Sequence, residues 1–412
     1  MADINIRVPD CDDDEGERGE RGERGERGER GKRGRRGPES PVPSGQSNTV
    51  AFFNEQGQLA SAPDTNLTPS DFGIRTAGTA LQALHVNRTN RGVEVGSGAS
   101  ATGLNSLAVG SVSPDTLASV RALGEGSFAQ GQGSFASGVG SHAEGCNTTA
   151  SGDCSHAEGN STIASAPNSH AEGGLTTAGP GAGAANAHAE GLGTTASGAA
   201  AHAEGSLTVA SNAAAHAEGS STVASGNTSH AQGFHTRASA FTSHAQGVSA
   251  DSSRISQDTL ASGAFDGVVT VLGAAQTSVL VFRGTTPGVA VNEISELKFG
   301  SDNNGQPIPF IPEDDKAYTF KVTAVAAGEQ PAQVSRQFEV TFNVRRTVGV
   351  STLTFSSGTT SGGDASTATW TLTPSIGAAP DRVVLTFNTG AGPISKTRVV
   401  ARVEFTEVAF PP

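Results

Sequence analysis

The sequence predicts an all-β fibrous chain that assembles as a parallel homotrimer, and three observations predict it. Glycine stands at every third position from Gly16 to Gly37. A tetrapeptide opening with His recurs on a 14-residue period through the middle of the chain. Only the last third carries the alternating Val, Leu and Phe runs of an ordinary core.

Composition agrees. The chain has 412 residues, of which 35% are hydrophobic, 5% aromatic and 16% charged, with 54 glycines. That is too few large apolar residues for a conventional core throughout and too little charge for a disordered polyelectrolyte. A net charge of -13 argues against a nucleic-acid partner, since phosphate binding needs an excess of Lys and Arg. No run approaches the roughly 18 apolar residues of a membrane span. Met1 to Glu15 is acidic and lacks the apolar segment of a secretory signal, so synthesis in a cytosol is expected.

Residues 1–15 hold Asp10, Asp12, Asp13, Asp14 and Glu15 around Cys11. They read either as a solvated tail or as a peptide that docks onto another component. Residues 16–39 follow a Gly-X-Y pattern with Glu and Arg in the other places. Only Gly fits at the crowded axis of a collagen-like triple helix, so this neck implies three chains. Its imino-acid content is low, with Pro38 alone, so it needs folded neighbours to hold register. Cys11 lies where three copies would converge, and both an interchain disulfide and a free thiol stay open. Residues 40–96 are a shoulder or linker with short strands, such as Val50 to Phe53 before a turn at Gly57.

Residues 97–253 form the repeat shaft. His-Ala-Glu-Gly begins at His142, His156, His170, His188, His202 and His216, and His-Ala-Gln-Gly at His230 and His244. The spacing is 14 except for one interval of 18, which contains Gly179-Pro180-Gly181-Ala182. A second half-repeat, such as Ala150-Ser151-Gly152, starts eight residues after each His. A strict short repeat means stacked coils, each with two short strands and two Gly turns. Helix is disfavoured by a glycine every seven residues, at roughly 1 kcal/mol each. About eleven coils at ~4.8 Å give a shaft of about 50 Å. Alternation turns Ala143 and Ala150 inward and puts His and Glu together outside. A coil filled with Ala and Ser buries too little surface to stand alone, a second argument for trimers.

Residues 254–412 are read as a β-sandwich or jelly-roll-like tip. Its strands are Val268 to Leu272, Ser278 to Phe282, Tyr318 to Val322, Phe338 to Val344, Ala368 to Leu372, Val383 to Phe387 and Val399 to Phe405. Asp302 to Gly305 and Ser361 to Asp364 read as turns.

The repeat from Ser141-His142-Ala143-Glu144-Gly145 through Ala150-Ser151-Gly152 resembles the head repeats of trimeric autotransporter adhesins. That resemblance implies a left-handed parallel β-roll in a trimer. The adhesins' signal peptide and membrane anchor are not found in this sequence. The repeat is still more similar to the Ser-His-Ala-Glu-Gly arrays of phage and prophage tail proteins. Tyr318 to Val322 and Arg398 to Val408 resemble a β domain that ends phage tail-fibre-like proteins. The triplet region is similar to the necks of spore-surface and phage fibre proteins.

Chemistry is expected to be structural. An identical His-Ala-Glu in coil after coil is not the single shaped constellation that catalysis needs, so no catalytic or cofactor-binding residue is assigned. No metal site is assigned either. His142, His156, His170, His188, His202 and His216 would become candidates if they faced a trimer axis, where each layer would supply three imidazoles. His230 and His244 precede Gln232 and Gln246. They are therefore expected to lack a carboxylate partner, and their end of the shaft to loosen first on acidification.

The expected function is a tail-fibre-like structural protein of a virion or phage-like particle. Its N-terminus would meet a docking component and its tip a cell-surface receptor or glycan. A spore- or cell-surface filament is the alternative, and a fibre-borne hydrolase a more distant one.

Overall fold

The computed structural model describes residues 51–53, 59–61, 71–75, 82–87, 89–96, 98–111, 119–181, 183–263, 272–290, 292–299, 309–329, 334–378, 381–391 and 396–409. The acidic segment 1–15, Cys11, the triplet region, most of Val268 to Leu272 and the turn at Asp302 to Gly305 lie outside them. The described residues are strands, turns and one short 3-10 turn, Ala365–Thr367, with no α-helix among them.

One coil shows how the repeat folds. His142–Cys146 is a five-residue strand, the chain turns at Asn147, Thr149–Ala150 is a two-residue strand, and a second turn through Cys154 leads to His156. The next coil lies directly beneath, with His142 opposite His156 and Thr149 opposite Ile163, both parallel. The short strands form an 11-stranded sheet. The long ones run from Val93, paired with Leu107, to Ser262, paired with Val248. The ladder thus passes both ends of the expected 97–253 interval. Backbone hydrogen bonds propagate it, and they do not require the His motif.

Glycine has a different task from the one the spacing suggests. The tight turns use left-handed residues that are mostly not glycine: Asn147 at φ 55°, Cys154 at 54°, and Leu175 and Leu207 at 56°. Gly145 sits instead at the end of the long strand, at φ +116°, where a Cβ would lie 2.1 Å from the carbonyl oxygen of Gly159. Close approach of stacked backbones, more than turning, demands the glycine. The 18-residue interval leaves the register unchanged, because His170 still faces His188 and Thr177 still faces Thr195.

Inside the coils lie two columns of fully buried alanine, Ala143 and Ala150 with their equivalents. Buried serines close one turn by donating to a carbonyl three residues back, as Ser155 Oγ does to Gly152 O at 2.7 Å.

The last long strand, Asp258–Ser262, pairs antiparallel with Ala275–Thr286. From there the sheet continues through Thr397–Ala409, Lys316–Gly328, Ser335–Thr347 and Val350–Gly363. A smaller antiparallel sheet contains Ile294–Phe299, Arg382–Asn388 and Thr371–Gly377. The core between the two includes Phe310, Phe320, Phe342, Trp370, Phe387 and Phe405. Two of these strands, Ile294–Phe299 and Val350–Gly363, were not expected. Val350–Gly363 is rich in Ser, Gly and Thr and includes part of an expected turn, yet it pairs along Ser335–Thr347 with two register shifts. The expected strand at Ala368 begins only at Thr371, after the 3-10 turn.

Candidate functional site

Register makes the repeated face. Each coil pairs residue for residue with the next, so every His sits over a His and every Glu over a Glu or its replacement. From His142 to His244 the imidazoles stack with centroids 4.7–4.9 Å apart and planes within 2–14°. Phe128 heads the column at 4.7 Å from His142. The rings keep about a third of their surface exposed. Yet all eight Nε2 atoms are buried and have no hydrogen-bond partner among the described residues.

Carboxylates stand near but not in hydrogen-bond geometry. Within a coil, His142 and Glu144 approach to 3.5 Å, and His188 and Glu190 to 3.8 Å. Further along, the near carboxylate belongs to the preceding coil: Glu204 lies 3.5 Å from His216 and Glu218 lies 3.4 Å from His230. This corrects the expectation for the Gln-bearing coils. His230 has Glu218, and His244 has Asp258 at 3.2 Å from its Nδ1. Coils stacked at the strand spacing bring a neighbour's side chain as close as the residue two places along the same strand.

Charge on this face is held down. Burial, then repulsion from neighbouring imidazoles, lowers the pKa of His156, His170, His188 and His202 below the usual 6.5. Down the Glu column the shifts alternate. A proton shared with Glu172 and Glu144, together with burial, raises Glu158. Sharing with Glu204 and Glu172 pushes Glu190 up to about 7. The intervening Glu172 falls because its neighbours hold the proton. Glu204 falls too: burial opposes its ionisation, but hydrogen bonds from neighbouring side chains and the nearby His202 outweigh that. Like charges stacked at this spacing repel, so Glu158 and Glu190 hold a proton more readily than Glu172 and Glu204.

Ligand atoms of His188, Glu190 and His202, and of His216, Glu218 and His230, gather within 4.8 Å. Two imidazole nitrogens bound to one zinc ion at ~2.1 Å stand at most about 4.2 Å apart. Parallel rings spaced 4.7–4.9 Å do not converge that far within one chain. The six candidate histidines are therefore brought into one column, in an arrangement suited to a ladder of side chains more than to a chelating pocket. Beside the Glu column runs a shallow groove of about 700 Å³, floored by Gly205, Gly219, Gly233 and Gly247 and ending at Leu260.

A second polar constellation, not anticipated, joins shaft to C-terminal sheet. Arg237 grips Asp251 through two hydrogen bonds of 2.9 and 2.7 Å. Gln276 bonds the Asp251 backbone and donates to Glu407 Oε1 at 2.6 Å. Lys316 bridges Glu407 at 3.1 Å and Glu313 at 2.8 Å. Arg254 stacks over Phe310 at 4.4 Å. Burial raises the pKa of Glu407 despite the adjacent Lys316. Parity carried a signal for this cluster, since Glu407 falls in phase with inward-facing Val403 and Phe405, and Lys316 with Tyr318 and Phe320.

No protein-family model matches the chain, and no curated protein matches it in sequence. Among solved structures, the tailspike protein of Acinetobacter baumannii phage AM24 is similar over 74% of this chain and 67% of its own, at 8% identity and a TM-score of 0.21. Likeness of that degree does not fix a common fold.

Proposed function

We propose that the chain is a non-enzymatic structural subunit of a tail-fibre-like assembly on a phage or phage-derived particle. Three copies run parallel. Residues 1–15 dock onto the particle, the Gly-X-Y segment winds as a collagen-like neck, the coils form the shaft, and the C-terminal region ends the fibre as a tip for surface attachment. The reading rests chiefly on one observation: eleven stacked coils whose interior holds little beyond alanine, serine and threonine. Such a coil spends its sequence on repeating an outer surface, which serves length and lateral association rather than an enclosed site. The resemblance of the Ser-His-Ala-Glu-Gly array to phage tail proteins supports the location.

Sedimentation of the full chain tests the assembly. A homotrimer at micromolar concentration is expected, and a compact monomer sinks the reading. Immunogold labelling with antibody to residues 275–409 tests the location, with decoration at the distal end of particle fibres expected. Label confined to spores or cell walls would move the protein to a surface filament.

A further inference from the structure

The strand register extends the histidine face beyond the shaft. His244 lies opposite Asp258, Asp258 opposite Val279, and Val279 opposite Glu404. Glu404 in turn lies opposite Lys321. Residues paired across a sheet point to the same side. The surface bearing the His and Glu columns therefore continues without a break as the outer face of the C-terminal sheet. The opposite parity agrees, since Ala245, Thr259, Ser278, Phe405 and Phe320 all turn inward.

This outer face is unusual in what it leaves to solvent. Val325 lies directly opposite Val400, and the two are 46% and 54% exposed. Val281, diagonal to Val400 and directly opposite Arg402, is 57% exposed, as is Leu260 at the end of the shaft groove. Exposed aliphatics paired across strands, here ringed by Arg283 and Arg402, mark a contact surface. We propose that the outer face of the C-terminal sheet, centred on Val281, Val325 and Val400, is an interface between copies of this chain and not the surface that meets a receptor.

A second copy is the occupant because of what the rest of the same surface offers. In the shaft it presents the exposed edges of a column of imidazoles, each about a third open to solvent, and beside it a column of half-exposed carboxylates, both repeating once per coil. A parallel copy in register is the partner that carries the same repeat, and it would set carboxylates against imidazoles layer by layer. The glycine-floored groove beside the Glu column gives a neighbour's side chains room. Eleven coils with five-residue strands offer a face on the order of 900 Å², by strand spacing and rise, close to the roughly 800 Å² per partner of a stable interface. An interface along the shaft then extends over the valines, because no edge separates the two.

The inference rests on the homotrimer reading, and one experiment separates them. In a full-length chain with Cys11, Cys146 and Cys154 replaced by Ser, single cysteines are placed by Val325→Cys, Val400→Cys and, as a control at a hairpin tip 85% exposed, Val348→Cys. Maleimide labelling is timed on material whose mass has been measured by sedimentation. In the trimer, Val325→Cys and Val400→Cys are expected to react at least ten-fold more slowly than Val348→Cys, and all three equally in guanidinium. Equal native rates in a confirmed trimer overturn the interface, leave the trimer standing and free the valines for another partner. A monomeric unaltered chain overturns both. Should a variant fail to fold, hydroxyl-radical footprinting of the unaltered chain reads the same contrast, and oxidation of Val325 matching that of Val348 is the overturning result.

Discussion

Ala245 in the last full shaft copy and Phe405 in the C-terminal sheet point to the same side of one continuous ladder, and both are fully buried. What lies behind them differs. Behind the alanine, the chain returns after a few residues as the short strand of the same coil. Behind the phenylalanine stands a separate layer bearing Trp370, Leu385 and Phe387. Backbone pairing is alike in both regions, so inward side-chain volume decides the architecture. Alanine lets two strands of one coil close on each other. Phenylalanine holds layers apart at the ~10 Å typical of packed sheets. The consequence is energetic. A buried Phe contributes roughly 3 kcal/mol of apolar burial and an alanine far less. The shaft thus depends on the stacking of one coil on the next where the C-terminal region has its own core.

The sharpest way to break this comparison is to make the C-terminal core resemble the shaft. Phe320→Ala should destabilise the C-terminal region by about 4 kcal/mol through the cavity it leaves, while Ala217→Gly in the shaft should cost about 1 kcal/mol. Denaturant unfolding followed by Trp370 fluorescence, with far-UV circular dichroism for the shaft, would show it. Similar losses at the two sites would contradict the division.

Next in size is the junction. Lys316→Met leaves the buried Glu407 carboxylate without its cation and should cost about 3 kcal/mol. Adding Glu407→Leu should recover most of that. A double mutant as unstable as the single one would mean that packing of the Lys316 stem, and not charge, ties the regions together.

Gly219→Ala probes the stacking itself. Its Cβ would meet the carbonyl oxygen of Gly233 at 2.2 Å and the backbone sits at φ +104°, so a loss of about 2 kcal/mol or more is expected. Gly349→Ala has φ +78° but open space around it, and should cost only about 1 kcal/mol. Thermal unfolding of both variants tests whether close approach, beyond backbone conformation, is what the shaft glycines serve.

The smallest effect is in pH. Glu190, raised to about 7, binds its proton more tightly folded than unfolded. Its contribution is therefore fully present below the unfolded value of 4.5 and is lost as pH rises through about 7. The histidines act oppositely: with folded values lowered, their contribution is present above 6.5 and lost as pH falls through the folded values. Glu190→Gln should accordingly raise the melting temperature slightly at pH 8 and leave it nearly unchanged at pH 4. An equal shift at both would remove the carboxyl's titration from the account. The end bearing Gln232 and Gln246 is no longer expected to loosen first, because Glu218 and Asp258 stand beside its histidines.

Much of this was legible in the residues. The 14-residue period alone implies stacked coils, inward alanine and outward His and Glu, because translation by one coil puts like on like. Period-2 runs at Tyr318, Phe338, Val383 and Val399 each mark a strand that is present. Val350–Gly363 was hidden, since an edge strand of Ser, Gly and Thr carries no alternation and is recruited by its neighbour's free backbone groups. The unusual glycine role was hidden for a related reason: a glycine required for close approach looks in sequence like one required for a turn.

What the sequence by itself determined is local and periodic: which residues lie inside each coil, the identity of each column, and the place where large apolar side chains begin. What the tertiary structure alone decided is the join. That Asp258–Ser262 pairs with Ala275–Thr286, and so carries the histidine face onto the outer face of the C-terminal sheet, depends on contacts between strands far apart in the chain. Repeats specify their neighbours by symmetry, whereas an antiparallel pairing at the end of an array is chosen by packing and by the buried Gln276, Lys316 and Glu407 network that no period announces.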